Sequence, residues 1–241
     1  EGRYTPSMLR LIMSMLLGRK LRRPPYTLED MAADTLGLLD ALNIAQAHIV
    51  GVSMGGMIAQ IIAARFPLRV LSLTSIMSTS GDRKASAMEL RDLRKIFLRP
   101  RPPSDATRDQ VVEHMASTYE IIGSAEHLRE VSYLRKMLSD SFDRGYYPAG
   151  FMRQTTAIVA NGSRRALLKL IKAPTLVIHG KRDILVPPGG GLDTAAHIRG
   201  ARMELIDDMG HDLAPGLWNT ISALIIQHCR QAAVPAGKTR V

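Results

Sequence analysis

The stretch Gly51-Val52-Ser53-Met54-Gly55 decides how this 241-residue sequence is interpreted. It follows a short apolar run, residues 47–50, and precedes a helix-forming run, residues 57–65. A serine with a glycine two positions before it and another two positions after it, between a strand and a helix, is typical of a nucleophile elbow. We expect both glycines to be required, because larger side chains would clash in so sharp a turn. Taken alone, the pattern is equally compatible with a glycine-rich turn that carries a solvated serine.

Two downstream residues favour the elbow, because each follows a predicted strand. Residues 175–180 form a short apolar run after Pro174, and Asp183 lies in the loop beyond that run. Residues 202–206 form another strand candidate, and His211 follows it, ahead of a helix pattern from 217 to about 231. Parallel sheets place their chemistry at the carboxyl ends of the strands. We therefore expect the serine, the aspartate and the histidine to meet at one edge of a sheet.

These three residue types suit nucleophilic catalysis. A serine hydroxyl is a poor nucleophile at neutral pH and needs a nearby base, and histidine titrates in the right range. The histidine in turn needs a carboxylate that fixes its tautomer and stabilises the imidazolium. We predict Ser53 as nucleophile, His211 as general base and then acid, and Asp183 as the orienting carboxylate. The backbone N–H of Met54, at the start of the following helix, is predicted to be one oxyanion donor.

Each assignment has a plainer alternative. Asp183 is also compatible with a turn-capping role, and His211 with an ordinary loop histidine. Three rival carboxylates rank below Asp183 because they lie too near the histidine in sequence: Asp207, Asp208 and Asp212. The other histidines are predicted to be core or turn residues, namely His48 and His179, or helix-surface residues, namely His114, His127, His197 and His228.

The motifs resemble those of the α/β-hydrolase superfamily. The likeness is carried by residues 51–56, by His179-Gly180-Lys181-Arg182-Asp183 with Val186-Pro187, and by Gly210-His211. Residues 26–34, which lead into the elbow strand, are similar to carboxylesterases of the aclacinomycin-methylesterase type. The resemblance extends from about residue 26 to 231. It implies an α/β fold with a parallel central sheet flanked by helices, and it matches the chain order Ser, Asp, His.

The chain departs from that superfamily before the elbow. Only 52 residues precede Ser53, the chain begins at Glu1 rather than Met, and no early glycine-rich oxyanion loop is present. The strand candidates, about 47–52, 70–76, 175–180 and 202–207, are half the number in the family. We expect the first strands and the second oxyanion donor to be missing and the elbow strand to lie at a sheet edge. The edge should then drive self-association into a homo-oligomer, or be covered by the N-terminal segment.

The remaining chain divides into a body and an insertion. Residues 80–161 are helical, polar and basic, and their position after the strand that follows the elbow helix predicts a cap or lid. Residues 1–79 and 162–241 then form the catalytic body. Within the body, residues 7–18 are helix-like, and Thr27 with Asp30 predicts the start of a helix that ends near Leu42.

Composition excludes several classes of protein. The single cysteine, Cys229, is interpreted as structural and rules out an intrachain disulfide. The net charge is +10, but the basic clusters at 19–23 and 83–108 lack interleaved aromatics, which make up only 5% of the chain. We therefore predict no nucleic-acid partner. We also predict no stable membrane insertion, no cofactor and no metal, and a cytoplasmic location.

The sequence thus predicts a serine carboxylic-ester hydrolase that acts on small to medium esters through an acyl-enzyme intermediate, with a small-molecule ester as partner. Thioesters, lactones, C–C bonds and cofactor-free perhydrolysis need the same machinery and stay open. The alternative is a truncated, weakly active or inactive fragment that retains only self-association. Losing one oxyanion donor typically costs about 10²–10³ in rate, so weak activity fits that alternative.

Overall fold

A parallel four-stranded sheet forms the centre of the protein. The computed structural model describes residues 24–100, 102–103, 105–126 and 131–233. The strands follow one another across the sheet in chain order: β1 (Ala47–Val52), β2 (Val70–Ile76), β3 (Thr175–Gly180) and β4 (Arg202–Ile206). All four predicted strands are confirmed. Every residue of β3 is buried, which accounts for the consecutive apolar residues Leu176, Val177 and Ile178.

The register brings the carboxyl ends of the strands level with one another. Val52 of β1 pairs with Ile76 of β2, and Ile76 pairs with Ile178 of β3. Gly180 of β3 pairs with Ile206 of β4. Because all pairings are parallel, the loops that follow β1, β3 and β4 leave the sheet from the same edge.

Within the described residues, two α-helices come before β2. Helix α1, Leu28–Ala41, begins at the predicted cap: Thr27 Oγ1 accepts the Asp30 N–H at 3.1 Å, and the Asp30 carboxylate accepts the Thr27 N–H at 2.8 Å. This reciprocal arrangement satisfies two N–H groups near the start of the helix. Helix α2, Met54–Arg65, starts directly after the elbow serine and is buried along most of its length. It packs against α1, β1 and β2 and forms much of the main core.

The described chain between β2 and β3 is mostly helical, as expected for the insertion. Its helices are α3 (Leu90–Phe97), α4 (Arg108–Ile122), α5 (Val131–Gly145), α6 (Pro148–Asn161) and the short α7 (Arg165–Leu168). Helices α4 and α5 pack against each other. They form a small apolar cluster apart from the main core: Val112, Ala116, Leu134 and Leu138.

A buried arginine fastens the two ends of this helical segment. The Arg164 backbone N–H donates to the Ser80 carbonyl at 2.7 Å, and its guanidinium donates to the Thr79 carbonyl at 2.6 Å. The same guanidinium reaches Gln60 Oε1 on α2 at 3.2 Å and Asn161 Oδ1 on α6 at 2.6 Å. Burial lowers the pKa of Arg164 to about 10, while the charge of Glu29 opposes this shift. The guanidinium therefore stays charged at neutral pH.

The last two α-helices of the described chain are α8 (Pro188–Ala196) and α9 (Trp218–Ala232), and one prediction about α9 is wrong. His228 was expected at the surface, and this is wrong: the side chain is buried and its Nε2 lies 3.1 Å from the Leu73 carbonyl and 3.2 Å from the Pro174 carbonyl. Helix α9 packs against β2 and β3, so one of its polar positions faces the sheet. Burial lowers the pKa of His228, although the hydrogen bonds to both carbonyls act to raise it.

His48 and His179 lie close to their predicted places. His48 is part-buried in β1, where Nδ1 is 2.8 Å from Ser72 Oγ, and His179 is fully buried in β3. His114 and His197 are half-buried on or beside helices, more enclosed than expected. His127 lies outside the described residues.

Strand β1 lies at an edge of the described sheet, as expected, because β2 is the strand it pairs with there. Val50, in the middle of β1, is 44% exposed. The helix predicted over 7–18 lies outside the described residues.

No helix within the described ranges is long and apolar enough to span a bilayer. The longest, α4, α5 and α9, have 15 residues each, whereas crossing takes about 20. Cys229 is a free, partly buried thiol on α9.

Candidate active site

Ser53 occupies a strained turn between β1 and α2. Its φ is 53° and its ψ is −116°, in a region that residues other than glycine rarely adopt. Its N–H donates to the Ile76 carbonyl at 2.8 Å, which ties the turn to the end of β2. Its carbonyl accepts the N–H groups of Gly56 at 3.0 Å and Met57 at 3.3 Å. Hydrogen bonds on both sides therefore hold the serine in this conformation.

Crowding explains two of the glycines at the elbow, but not the pair expected. A Cβ on Gly51 would lie 2.2 Å from the Gly55 carbonyl oxygen, so this position admits no side chain without a backbone shift. A Cβ on Gly55 would meet nothing within 4 Å, so the expectation that crowding requires Gly55 is wrong. The crowded position is Gly56, where a Cβ would come within 2.6 Å of the Ser78 Cβ. The start of α2 thus packs through Gly56 against the loop after β2.

The imidazole of His211 links the other two predicted residues. Its Nε2 lies 2.9 Å from Ser53 Oγ, and its Nδ1 lies 2.7 Å from Asp183 Oδ2. The ring is buried, and the loop that carries it follows β4. The structure therefore brings Ser53, His211 and Asp183 together in one hydrogen-bonded series.

The turn after β3 fixes the carboxylate of Asp183. Oδ1 accepts the N–H of Leu185 at 3.0 Å and the N–H of Val186 at 2.8 Å. Oδ2 faces His211. Because both oxygens are engaged and the side chain is buried, the carboxylate has one orientation.

Opposing effects determine the pKa of Asp183. Burial acts to raise this pKa, whereas hydrogen bonds from His179 and His211, the charge of His211 and the Val186 N–H act to lower it. The lowering effects are the stronger, so the pKa lies below its usual value and Asp183 is ionised at neutral pH. An ionised carboxylate only accepts hydrogen bonds, so the shared proton belongs to His211 Nδ1. Nε2 then presents its lone pair to the Ser53 hydroxyl, as a general base requires.

His179 is a contact of the site that the sequence reasoning missed. It is a core residue, as predicted, but its Nε2 lies 3.3 Å from Asp183 Oδ2 and 2.8 Å from the Val186 carbonyl. Both neighbours accept hydrogen bonds, so Nε2 carries the proton. Nδ1 is buried without a hydrogen-bond partner among the described residues and packs against Gly191, where a Cβ would lie 2.4 Å away. The available signal was the four-residue spacing of His179 and Asp183 across the end of a strand.

Helix α2 points its N-terminus at the serine. Met54 is its first residue, and N–H groups in the first turn of a helix have no acceptor within the helix. The helix dipole adds partial positive charge at the same place. The role of the Met54 N–H as an oxyanion donor stays a prediction.

The rival carboxylates have other partners. Asp207 pairs with Lys181 at 2.6 Å, and Asp208 pairs with Arg182 at 2.9 Å. Asp212 is buried, and its bonds lead to the end of α4 rather than to the imidazole beside it. In the part of the chain that the structure describes, no group of three or more His, Cys, Asp or Glu side chains is arranged to hold a metal ion.

Comparison with known sequences places these features in a family. The model of the alpha/beta hydrolase fold family matches residues 17–214. The chain is 26% identical over 226 residues to rhodomycin D methylesterase DnrP from Streptomyces peucetius, a match that covers 87% of this chain and 76% of that protein. It is also 26% identical over 185 residues to 3-oxoadipate enol-lactonase 2 from Acinetobacter baylyi, covering 76% and 64% of the two chains.

Solved structures share the fold. The meta-cleavage product hydrolase CumD from Pseudomonas fluorescens IP01 gives a TM-score of 0.68 at 20% identity, covering 92% of this chain and 84% of that one. The enol-lactonase from Burkholderia xenovorans LB400 gives a TM-score of 0.61 at 23% identity, covering 86% and 73%. The predicted fold class, a parallel sheet flanked by helices, is confirmed.

Two glycine variants test the packing of the elbow. Gly51→Ala should lower the free energy of unfolding by about 1–3 kcal/mol, because its Cβ has no room unless the backbone moves. Gly55→Ala is the matched control, because its Cβ meets open space. It should leave stability unchanged or raise it by up to about 1 kcal/mol, since alanine favours helix over glycine. Urea unfolding of both variants measures the difference, and equal destabilisation would contradict this account.

Acid unfolding tests the ionised state of Asp183. A carboxylate whose pKa is lowered by folding stabilises the native state above its unfolded pKa, and this stabilisation is lost as the pH falls through the folded pKa. The ordinary value is 3.8, and the folded value lies below it. Asp183→Asn should therefore lose less stability than the parent protein between about pH 5 and pH 2. Urea unfolding across this range provides the measurement, with Asp34→Asn, an exposed carboxylate on α1, as the control. Identical pH slopes for the parent and Asp183→Asn would refute the prediction.

Proposed function

Because this chain belongs to the alpha/beta hydrolase fold family, we propose that it is a serine esterase that hydrolyses small to medium carboxylic esters. One observation carries the proposal. The Ser53 hydroxyl, the His211 imidazole and the Asp183 carboxylate stand in series, joined by contacts of 2.9 Å and 2.7 Å. A hydroxyl, a base and an orienting acid in this order are what acyl transfer to serine requires.

Acylation follows from this geometry. His211 Nε2 takes the proton of the Ser53 hydroxyl while Oγ attacks the ester carbonyl carbon, and the carbonyl oxygen becomes an oxyanion. Asp183 stays ionised and stabilises the imidazolium. The C–O bond to the alcohol then breaks, the alcohol oxygen receives the proton from Nε2, and the acyl group remains on Ser53 Oγ.

Deacylation repeats the sequence with water. His211 Nε2 removes a proton from a water molecule, whose oxygen attacks the acyl carbonyl carbon. The bond between that carbon and Ser53 Oγ breaks, and Oγ recovers the proton from Nε2. A carboxylic acid leaves and the starting protonation states are restored.

The Met54 N–H is assigned as one oxyanion donor. It belongs to the residue after the nucleophile, at the positive end of α2. A missing second donor would lower the rate by about 10²–10³, so modest turnover is compatible with this mechanism.

The substrate class rests on the relatives and the reaction chemistry. Two relatives are named as a methylesterase and an enol-lactonase, and both of these activities act on an acyl–oxygen bond. We assign alkyl esters such as methyl esters as the substrates, with lactones as the runner-up. Residues 80–161 are assigned as a cap on a body formed by 1–79 and 162–241. The junction supports this division, because a Cβ on Gly81 would lie 2.0 Å from the Gly162 carbonyl oxygen.

Hydrolysis of a short-chain p-nitrophenyl ester tests the proposal. Ser53→Ala should lower turnover by at least about 10³-fold, because the nucleophile is removed. Ser222→Ala, an exposed serine on α9, is the matched control and should keep the parent rate. Circular dichroism establishes that each variant is folded. Equal turnover in the parent and Ser53→Ala, or none in a folded parent, would overturn the esterase assignment.

We also propose that β1 mediates self-association, on a different observation. It is the edge strand of the described sheet, and Val50 at its centre is 44% exposed. Edge strands with apolar side chains pair readily with other chains.

Light scattering over a concentration series tests the role of this edge. The parent should form oligomers as concentration rises, and Val50→Lys should shift the transition to higher concentration because a charge disfavours edge pairing. Leu68→Lys alters an apolar residue that is 81% exposed but lies outside β1, and should behave like the parent. A monomeric parent at every concentration would exclude the proposal.

A further inference from the structure

The loop that carries His211 is bonded to the end of helix α4 on both sides of the histidine. Gly210, His211 and Asp212 form hydrogen bonds with Ile122 and Ser124 of the helical insertion. We propose that Ser124 and Asp212 are positioning residues through which the insertion holds the catalytic base. This inference rests on the proposed function, because it concerns the placement of the histidine that activates Ser53.

Backbone N–H groups of the histidine loop bond to the end of α4. The His211 N–H donates to the Ile122 carbonyl at 2.6 Å, so the histidine itself is fastened to the last residue of α4. The Gly210 N–H donates to Ser124 Oγ at 2.9 Å. A Cβ on Gly210 would lie 2.5 Å from the carbonyl carbon of Gly123, so a side chain there would separate the two segments. Only glycine allows the loop and the end of α4 to approach so closely.

The Ser124 hydroxyl bridges the two neighbours of the histidine. It accepts from the Gly210 N–H and donates to Asp212 Oδ1, which also accepts the Ser124 N–H at 3.1 Å. All these groups are buried. One side chain thus fixes the residue before His211 and the residue after it, which sets the direction in which the imidazole leaves the backbone.

The carboxylate of Asp212 has no other task that the structure shows. It is 7% exposed, and its Oδ2 has no hydrogen-bond partner among the described residues. Burying a carboxylate with an unpaired oxygen costs free energy. We infer that the bonds between Asp212 and Ser124 serve a function that offsets this cost. Its charge also faces α4: the pKa of Tyr119 on that helix is raised first by burial and then by Asp212. The side chain therefore acts at the contact with the insertion.

The opposite side of the loop is held by the sheet. The Met209 carbonyl accepts the Arg182 N–H at 3.1 Å, and a Cβ on Gly180 would lie 2.0 Å from the same carbonyl oxygen. The body thus holds the histidine loop through Met209, and the insertion holds it through Gly210, His211 and Asp212. A displacement of about 1 Å in a reacting group costs on the order of 10²-fold in rate. Loss of the contacts with the insertion should therefore reduce catalysis while substrate binding persists.

Steady-state kinetics on the p-nitrophenyl ester tests the inference. Ser124→Ala and Asp212→Ala should each lower kcat by about 10–100-fold with little change in KM, because base placement and not binding is impaired. The double variant should lose no more than the worse single variant, since the two residues act as one unit. Asp212→Asn keeps the oxygen that accepts from Ser124 and should retain most activity. Ser132→Ala, an exposed serine on α5, is the control and should match the parent.

A spectroscopic readout separates this inference from the esterase assignment. In the parent, the His211 Nδ1 proton bonded to Asp183 should give a low-field NMR resonance that needs no turnover to be seen. That resonance should shift or broaden in Ser124→Ala and Asp212→Ala and stay unchanged in Ser132→Ala. Thermal melts identify the temperature at which each variant is folded. If folded Ser124→Ala and Asp212→Ala both keep the resonance unchanged and the kcat of the parent, the positioning role is overturned. If the parent shows the resonance but no turnover, only the esterase assignment is contradicted.

Discussion

The parallel register of the sheet is the constraint on which the whole site depends. Ser53 follows β1, Asp183 follows β3 and His211 follows β4, so no local segment brings the three together. Each advance of one residue along a strand is about 3.3 Å, longer than any hydrogen bond in the series. A register slip of one residue in β3 would also turn its side chains to the opposite face. The site therefore exists only because the buried core selects one alignment of the strands.

Features that depend on sequence neighbours were predictable from the sequence. The elbow at Ser53, the apolar strand runs and the reciprocal cap of α1 at Thr27 all leave short, regular patterns. Features that depend on packing between distant segments were not. His228 occupies a polar position on a mixed helix, and only the docking of α9 on the sheet shows that it is buried. Likewise, adjacent glycines at 55 and 56 look alike in sequence, and only the direction of α2 decides which one faces Ser78.

The site combines burial with ionisation, two conditions that oppose each other. Asp183 is buried almost completely, yet its pKa falls below the usual value because donors from the turn and from two histidines surround it. This arrangement determines where every proton lies before a substrate binds. Strain at Ser53, a directed lone pair on His211 and a fixed carboxylate are then properties of the folded protein rather than consequences of binding.

Arg164 joins the two ends of the helical insertion. Its bonds to Thr79 and Ser80, which follow β2, and to Asn161, at the end of α6, hold the start and the end of the insertion together. A segment whose two ends meet in this way can be lengthened, shortened or exchanged with little strain on the rest of the fold. The scaffold is therefore modular, because the insertion can change in length or sequence without rebuilding the elbow. The exception is the contact around Ser124, where an exchanged insertion would have to reproduce the hydrogen bonds to the histidine loop.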